Sequence, residues 1–206
     1  MATPTWLDWA QRLQAIAQSG LTYCKDKFDI QRYEQIREIA AEMMANGSGQ
    51  DVARVEKLFT AQAGYATPKI DVRVAAFRDG RILLVRELED GRWTLPGGWA
   101  DVGEPPSVAA AREVVEESGY EVRITKLAAV FDRNLHGHPP YAFHAYKIFF
   151  LGELTGGAAK NSHETADAEF FAEDQLPPLS VLRVTASQIA HLFEHLRHPE
   201  LPTSYD

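Results

Sequence analysis

The stretch LPGGWADVGEPPSVAAAREVVEESGY, residues 95–120, joins a glycine turn to a pattern typical of an amphipathic helix. It contains five acidic residues and no lysine. Ser107 follows two prolines and can cap a helix, and Ser118-Gly119 is typical of a helix end. The sequence therefore predicts a short acidic helix that begins near Ser107, directly after a glycine-rich turn.

Three glutamates of this helix share one face. At about 100° per residue, Glu113, Glu116 and Glu117 fall within an arc of about 100°. Like charges at this spacing cost about 0.2–0.5 kcal/mol each on an exposed helix. A hard divalent cation such as Mg²⁺ or Mn²⁺ would remove the repulsion, because these ions favour carboxylate oxygens. The alternative is a solvated acidic face, but Arg112 and the glycine turn favour a metal site. The apolar residues are expected on other faces: Val108, Ala111, Val115 and Tyr120.

The composition is that of a globular protein, with 206 residues and a formal net charge of -8. An acidic chain is a poor nonspecific binder of nucleic acid, so no nucleic-acid partner is expected. The apolar runs are too short to span a membrane, and the N-terminal stretch is too polar for a secretory signal. The one cysteine, Cys24, has no partner for an internal disulfide and is expected to be a buried small residue. We therefore expect a cytoplasmic protein.

The first third of the chain has helical periodicity. A first helix is predicted over residues 5–20, ending at Gly20, and a second follows Asp29 as its N-cap and ends at NGSG, residues 46–49. A third, shorter helix is predicted over residues 50–61. These helices predict an N-terminal helical domain over residues 1–65.

The rhythm changes at residues 63–70, where Gly64 and Pro68 mark a boundary. Residues 70–87 predict two strands joined by an Asp79-Gly80 turn, a strong hairpin signal. The remaining predicted elements are strands at 92–97, 121–133, 141–154 and 168–174, the acidic helix, and a final amphipathic helix within 181–198. This mixed order predicts an α+β domain over residues 66–206.

The acidic stretch also carries a family resemblance. Gly98, Glu104 and the run Arg112 to Tyr120 fit the pattern G-x5-E-x7-R-E-U-x-E-E-x-G-U, where U is hydrophobic. This pattern is the Nudix box, so the chain resembles the Nudix hydrolases. The resemblance implies an α/β/α sandwich around a mixed sheet. It also implies hydrolysis of a nucleoside diphosphate linked to another group, X, with Mg²⁺ or Mn²⁺.

The resemblance assigns roles to the matching residues. Glu113, Glu116 and Glu117 would be metal ligands, together with a backbone carbonyl at the Gly97-Gly98 turn, assigned to Gly98. Arg112 would orient the glutamates by charge-assisted hydrogen bonds. Glu104 would be a further metal ligand or an organiser of the ligands, and the pattern does not decide between these roles.

A general base is expected among the acids that follow the box. In the sequence NSHETADAEFF, residues 161–171, Glu164 is the first candidate and Glu169 the second. Both are equally well explained as exposed loop acids, and a box glutamate such as Glu116 could itself supply the base.

Other candidates are not defined positions of these motifs. Arg86 could meet a phosphate or be a charged edge-strand residue, and Trp99 could stack on a nucleobase or pack in the protein. The histidines in LHGHPPYAFH lack a zinc spacing, and a loop that contacts substrate is favoured over a zinc site there: His136, His138 and His144.

Residues 21–45 together with the box resemble one branch of the family. That branch has an N-terminal helical domain and is typified by CDP-choline pyrophosphatase and ADP-ribose pyrophosphatase-like proteins. The resemblance implies a homodimer, although the short helices could also pack on their own chain. The expected substrate is a CDP-choline-like or ADP-ribose-like compound. A ligand-sensing Nudix domain without turnover is the alternative. Isoprenoid diphosphate isomerisation ranks lower, because no catalytic cysteine is visible.

Overall fold

The structure is a computed structural model that describes residues 3–206. The chain divides into two compact units. The first ends at Lys69 and takes in Pro140–His144, and the second comprises Ile70–Pro139 and Ala145–Asp206. The candidate site lies entirely within the second unit.

The first unit is built from three helices: α1 (Thr5–Tyr23), α2 (Lys27–Ser48) and α3 (Val52–Thr60). Small residues on α2 let α1 and α3 approach it, and the core that results is small. Its buried residues are Leu7, Ala10, Ala40, Ala41, Met44, Ala45, Val55, Phe59 and Ala142.

Two predicted helix boundaries in this unit are wrong. Helix α1 does not end at Gly20 but continues to Tyr23, and a Cβ added at Gly20 would lie 2.4 Å from the Tyr33 ring. Gly20 therefore allows close packing of α1 on α2. The N-cap of α2 is Asp26 and not Asp29, since the Asp26 carboxylate accepts hydrogen bonds from the backbone N–H groups of Phe28 and Asp29.

The second unit follows the predicted order and adds a final short strand, β7, that the sequence did not predict. The Asp79-Gly80 hairpin is confirmed, with φ angles of 51° and 72°. Among the helices described in residues 3–206, none is long and apolar enough to cross a membrane. The elements are β1 (Lys69–Arg78), β2 (Arg81–Glu87), β3 (Trp93–Thr94), α4 (Pro106–Ser118), β4 (Tyr120–Asp132), β5 (Ala145–Gly157), β6 (Thr165–Phe171), α5 (Ala186–Arg197) and β7 (Ser204–Tyr205).

The strands form one mixed sheet in the order β3-β2-β1-β5-β4-β7, with β6 paired to β2. The β4–β7 pair is parallel, and β2 pairs antiparallel with β1, β3 and β6. Helices α4 and α5 cover opposite faces, because Val114 of α4 packs with Val72 whereas Leu192 of α5 packs with Ala75. This arrangement confirms the predicted α+β class, an α/β/α sandwich preceded by helices.

Candidate active site

The glycine turn at residues 95–98 is fixed to strand β1 by backbone hydrogen bonds. The Val72 N–H donates to the Gly98 carbonyl at 2.8 Å, and the Val74 N–H donates to Pro96 at 3.0 Å. Gly97 has a φ of +138°, and a Cβ at this position would lie 2.0 Å from the Val72 carbonyl oxygen. Only glycine fits here, so the turn brings its backbone directly against β1.

Helix α4 begins at Pro106, one residue before the predicted start. Pro105 occupies the N-cap position without a side-chain cap, so the prediction that Ser107 caps the helix is wrong. A proline suits the first helical turn because its missing N–H would have no partner there. The predicted end is confirmed, since Gly119 has a left-handed φ of 75° and its N–H donates to the Val115 carbonyl.

The buried face of α4 consists of small residues. Ala109, Ala110 and Val114 are fully buried against the sheet, whereas Val108 and Val115 remain 52% and 47% exposed. A valine in place of Ala109 or Ala110 would hold the helix farther from the strands than alanine does. This close packing also brings Glu117 into the interior.

Glu117 is buried beside the glycine turn. Its Oε2 atom accepts a hydrogen bond from the Gly97 N–H at 2.8 Å. Burial raises the pKa of the Glu117 carboxyl to about 8, although Arg73 and the Gly97 N–H act in the opposite direction. Burial therefore disfavours the charged form of Glu117, and an additional positive charge nearby would stabilise that form.

Glu113 lies against the other glycine of the turn. A Cβ added at Gly98 would lie 3.2 Å from the Glu113 Oε2 atom, so the absent side chain leaves room for this carboxylate. Burial raises the pKa of the Glu113 carboxyl, and Arg112 opposes this effect. Two carboxylates, from Glu113 and Glu117, therefore lie next to the turn.

Arg112 hydrogen-bonds three of the box glutamates. Its Nε and Nη2 atoms donate to the Glu104 carboxylate at 3.2 and 3.0 Å. Its Nη1 atom donates to Glu113 at 3.1 Å and to Glu116 at 2.8 Å. The hydrogen bonds to Glu104 and the neighbouring negative charges raise the pKa of the Arg112 guanidinium above its usual value. Arg112 thus holds the carboxylates of Glu104, Glu113 and Glu116 around its guanidinium group.

In residues 3–206, no three or more His, Cys, Asp or Glu side chains are arranged to hold a metal ion. In the box, Arg112 holds Glu113 and Glu116, while Glu117 is turned toward Gly97. The donor set nevertheless fits a hard divalent cation, because it consists of carboxylate and carbonyl oxygens around the two glycines of the turn. Glu113 and Glu116 each accept from Arg112 through one carboxylate oxygen, and the other oxygen of each lies outside these hydrogen bonds.

The loop that carries Glu164 is attached to the C-terminal end of α4. Thr165 Oγ1 donates to the Glu117 carbonyl at 2.5 Å, and the Lys160 N–H donates to Ser118 at 3.0 Å. The Glu164 side chain is 60% exposed, and its Oε1 atom lies 3.3 Å from His163 Nε2. Glu169 is an exposed residue of β6. Only Glu164 belongs to the loop that is fixed directly to the acidic helix.

The two candidate substrate contacts have other neighbours in the structure. Arg86 Nη2 lies 3.9 Å from Asp167 Oδ2, and its guanidinium lies 6.0 Å from the Trp93 ring centroid. Trp99 is 44% exposed, and its backbone pairs with Asp71 of β1. Both side chains are open to solvent near the ends of the turn and of β2.

The three loop histidines have separate partners. His136 Nε2 lies 2.8 Å from Asp206 Oδ1, and its ring stacks on Phe131. His138 Nδ1 lies 2.8 Å from the Val181 carbonyl oxygen, and burial lowers the pKa of His138 to about 4. The backbone carbonyl of His144 accepts from the Lys69 N–H in the first unit. Cys24 is half-buried after α1, and so is less buried than the sequence predicted.

A buried charged group was not identified from the sequence. Asp71 and Arg73 of β1 and Lys147 of β5 are at most 6% exposed. Burial would raise the pKa of Asp71, but Arg73 and Lys147 outweigh this effect and lower it to about 2. Strand alternation could have indicated the group, because Asp71 and Arg73 share the apolar face of Ala75 and Phe77.

The chain is similar to known proteins along its whole length. Residues 4–59 match a family described as "UDP-X-like, N-terminal oligomerisation domain", and residues 67–193 match the NUDIX domain. A Bacillus subtilis (strain 168) protein named "Putative ADP-ribose pyrophosphatase YjhB" is 47% identical over 201 residues, covering 98% of this chain and 97% of the relative.

Two solved structures give the same result. A UDP-X diphosphatase aligns over 100% of both chains with 35% identity and a TM-score of 0.64. An ADP-ribose pyrophosphatase from Streptococcus suis 89-1591 aligns over 68% of this chain and 100% of its own, with 38% identity and a TM-score of 0.63. Because the NUDIX match covers more than half of the chain and includes the whole box, the chain belongs to the Nudix hydrolase family and carries a UDP-X-like N-terminal domain.

Proposed function

We propose that the protein is a divalent-cation-dependent pyrophosphohydrolase. It would cleave a nucleoside diphosphate linked to X into a nucleoside monophosphate and a phosphorylated X. The observation that supports this best is the buried Glu117 carboxylate on the Gly97 amide, with Glu113 beside Gly98. The names of the relatives favour ADP-ribose and UDP-linked substrates, and the branch resemblance adds CDP-choline. A cytoplasmic location, inferred from the lone cysteine, suits such small metabolites.

The proposed ligands of Mg²⁺ or Mn²⁺ are Glu113, Glu116, Glu117 and the Gly98 carbonyl, with Glu104 as a further ligand or an organiser. The Gly98 oxygen accepts one hydrogen bond from Val72 and keeps a second lone pair. When bound, the cation would neutralise charge on the diphosphate and lower the pKa of a water molecule. The acidic site would thereby accept an anionic substrate.

Other residues of the chain would orient the ligands, accept a proton and contact the substrate. Arg112 gathers and orients the glutamates, and the Gly97 N–H fixes the Glu117 carboxylate. Glu164 would take a proton from the water that attacks phosphorus, and the bridging oxygen would leave with the departing phosphate. Arg86, by its positive charge, would contact a phosphate, and Trp99, by its aromatic ring, would stack on the base; both side chains are partly open to solvent.

A substrate screen resolved by product identity tests the proposal. Purified protein with Mg²⁺ or Mn²⁺ is expected to form a nucleoside monophosphate from ADP-ribose, a UDP-sugar or CDP-choline. Chelation of the cation should abolish product formation. An absence of turnover across a broad panel, together with tight binding that needs no metal, would instead support the ligand-sensing alternative.

Replacing Arg112 with Lys is expected to lower kcat by about tenfold, because lysine cannot bridge three carboxylates with one fork. The cation concentration at half-maximal activity should rise with it. Arg123→Lys is the matched control, since Arg123 forms an exposed ion pair with Glu153 on the sheet. Equal activity of the two variants would contradict a role of Arg112 in the site.

The Glu164→Gln substitution tests the general base, and we expect kcat to fall by about 100-fold at unchanged folding stability. The side chain is exposed and the substitution nearly preserves its volume, which makes a structural effect small. Glu169→Gln on β6 is expected to keep wild-type activity. The reverse pattern would identify Glu169 as the base, and loss in neither variant would favour a box glutamate such as Glu116.

We further propose that residues 1–65 form an N-terminal domain that mediates a homodimer, and that residues 66–206 form the hydrolase domain. The match to an oligomerisation domain supports this proposal. Trp9 and Ile16 are each 53% exposed and lie seven residues apart on α1, so they share one face.

Light scattering on the wild-type protein should therefore give twice the 23.0 kDa chain mass. The Ile16→Glu variant should shift this mass toward one chain, because it places a charge in the apolar face. Gln31→Glu, at an exposed position of α2, should leave the mass unchanged. A wild-type mass of 23.0 kDa would contradict the homodimer.

A further inference from the structure

Strand β1 carries two buried charged side chains beneath the glycine turn. Asp71 and Arg73 are 6% and 4% exposed, and Lys147 of the neighbouring strand β5 is 1% exposed. Lys147 Nζ donates to Asp71 Oδ1 at 2.6 Å. Burying three charged groups has a desolvation cost that ion pairing offsets only in part, and apolar residues of similar size would often be as stable. A role other than stability is therefore worth seeking for this group.

Arg73 connects this buried group to the turn. Its Nε and Nη2 atoms each donate to the Asp71 carboxylate at 3.0 Å, which fixes the plane of the guanidinium. Its Nη1 atom donates to the Leu95 carbonyl at 2.9 Å. Arg73 thereby holds the first residue of the turn from inside the protein, while the strand backbone holds Pro96 and Gly98.

The turn that Arg73 holds is itself hydrogen-bonded to Glu117. Gly97 lies two residues after Leu95, and its N–H donates to Glu117 Oε2 at 2.8 Å. The path from Arg73 to the Glu117 carboxylate is therefore one hydrogen bond, a short constrained backbone segment and a second hydrogen bond.

We propose that Arg73 is a positioning residue that holds the Leu95–Gly98 turn, and through the Gly97 N–H the Glu117 carboxylate, in the orientation that binds a divalent cation. The inference rests on the proposed function of the same site. It assigns a role to a residue outside the box, on a different element from the acidic helix. Asp71 acts one step farther away by fixing the guanidinium, whereas Lys147 pairs with Asp71 without touching Arg73 or the turn and is assigned to the stability of the buried group.

The test compares Arg73→Lys with Lys147→Met. Lysine keeps the charge of Arg73 but cannot reach both Asp71 and the Leu95 carbonyl with a fixed fork. Lys147→Met removes the other cation from the same carboxylate and leaves the hydrogen bonds of Arg73 in place. Two quantities are measured for each variant: the rise in thermal midpoint on addition of Mg²⁺ or Mn²⁺, and kcat and KM for the substrate found in the screen.

For Arg73→Lys we expect kcat to fall about 10- to 100-fold with little change in KM. The cation concentration that produces half of the midpoint rise should increase by a similar factor. Lys147→Met should keep both the cation response and kcat near wild-type values, even if its cation-free midpoint falls. A purely structural role of the buried group predicts a lower midpoint in both variants and an unchanged cation response.

The remaining outcomes are also decisive. Arg73→Lys with a wild-type cation response overturns the inference while leaving the proposed function intact. A wild-type protein without cation response or turnover overturns the proposed function and the inference with it. If Arg73→Lys fails to fold, Asp71→Asn replaces it, because this change loosens the guanidinium without removing it, and the same weakened cation response is expected.

Discussion

Replacing Glu117 with Gln is expected to lower kcat by about 1,000-fold. The substitution removes one negative charge from the proposed cation site with little change of volume, and about 4 kcal/mol of lost charge stabilisation corresponds to this factor. Glutamine can still accept the hydrogen bond that the Gly97 N–H donates to Glu117 Oε2. Steady-state kinetics at saturating Mg²⁺ or Mn²⁺ measures the effect, with Glu121→Gln at an exposed position of β4 as the control.

In the cation-free protein, Glu117 should make the free energy of unfolding depend on pH. The pKa of Glu117 is raised from 4.5 to about 8 by burial, so the folded protein binds one proton more than the unfolded chain between these values. Its free energy of unfolding should therefore decrease as pH rises from about 4.5 to about 8. In the presence of a chelator, the Glu117→Gln variant should lose less stability over this range. Wild-type activity in a stable Glu117→Gln variant would contradict the metal assignment.

Local signals in the sequence were sufficient for the elements of the hydrolase unit. The Asp79-Gly80 turn defines the first hairpin, and the left-handed Gly119 ends the acidic helix where the sequence indicated. The spacing of Glu113, Glu116 and Glu117 within the box is also sufficient to indicate the family. These features depend on residues that are neighbours in the chain, which is why a single sequence reveals them.

The features that the sequence did not reveal depend on contacts between distant residues. Glu117 is buried on the helix that packs closely on the sheet through Ala109 and Ala110. Helical periodicity alone did not reveal that these alanines are buried while Val108 and Val115 are exposed. Gly20 has the appearance of a helix end until the Tyr33 ring is found against it. The hydrogen bond from Arg73 to Leu95 joins residues 22 positions apart, and no local pattern specifies it.

The Gly97→Ala substitution is expected to lower the free energy of unfolding by about 3 kcal/mol or more and to reduce kcat over 1,000-fold. Alanine strongly disfavours the observed φ of +138°, and its Cβ would lie 2.0 Å from the Val72 carbonyl oxygen. Because that oxygen belongs to the central strand β1, the turn and not the strand should move. The displaced turn would carry the Gly97 N–H away from Glu117. Urea denaturation and steady-state kinetics measure the two effects.

Gly91→Ala separates the effect of the positive φ from the effect of the clash with β1. Gly91 also has a positive φ, +67°, but a Cβ there would meet no atom within 4 Å. This variant should lose about 1–2 kcal/mol, the cost of the left-handed conformation alone, and keep its activity. If Gly97→Ala lost no more stability than Gly91→Ala and remained active, the close approach of the turn to β1 would be unnecessary for catalysis. The larger loss that we expect arises because the contact that excludes a side chain also directs the Gly97 N–H at Glu117.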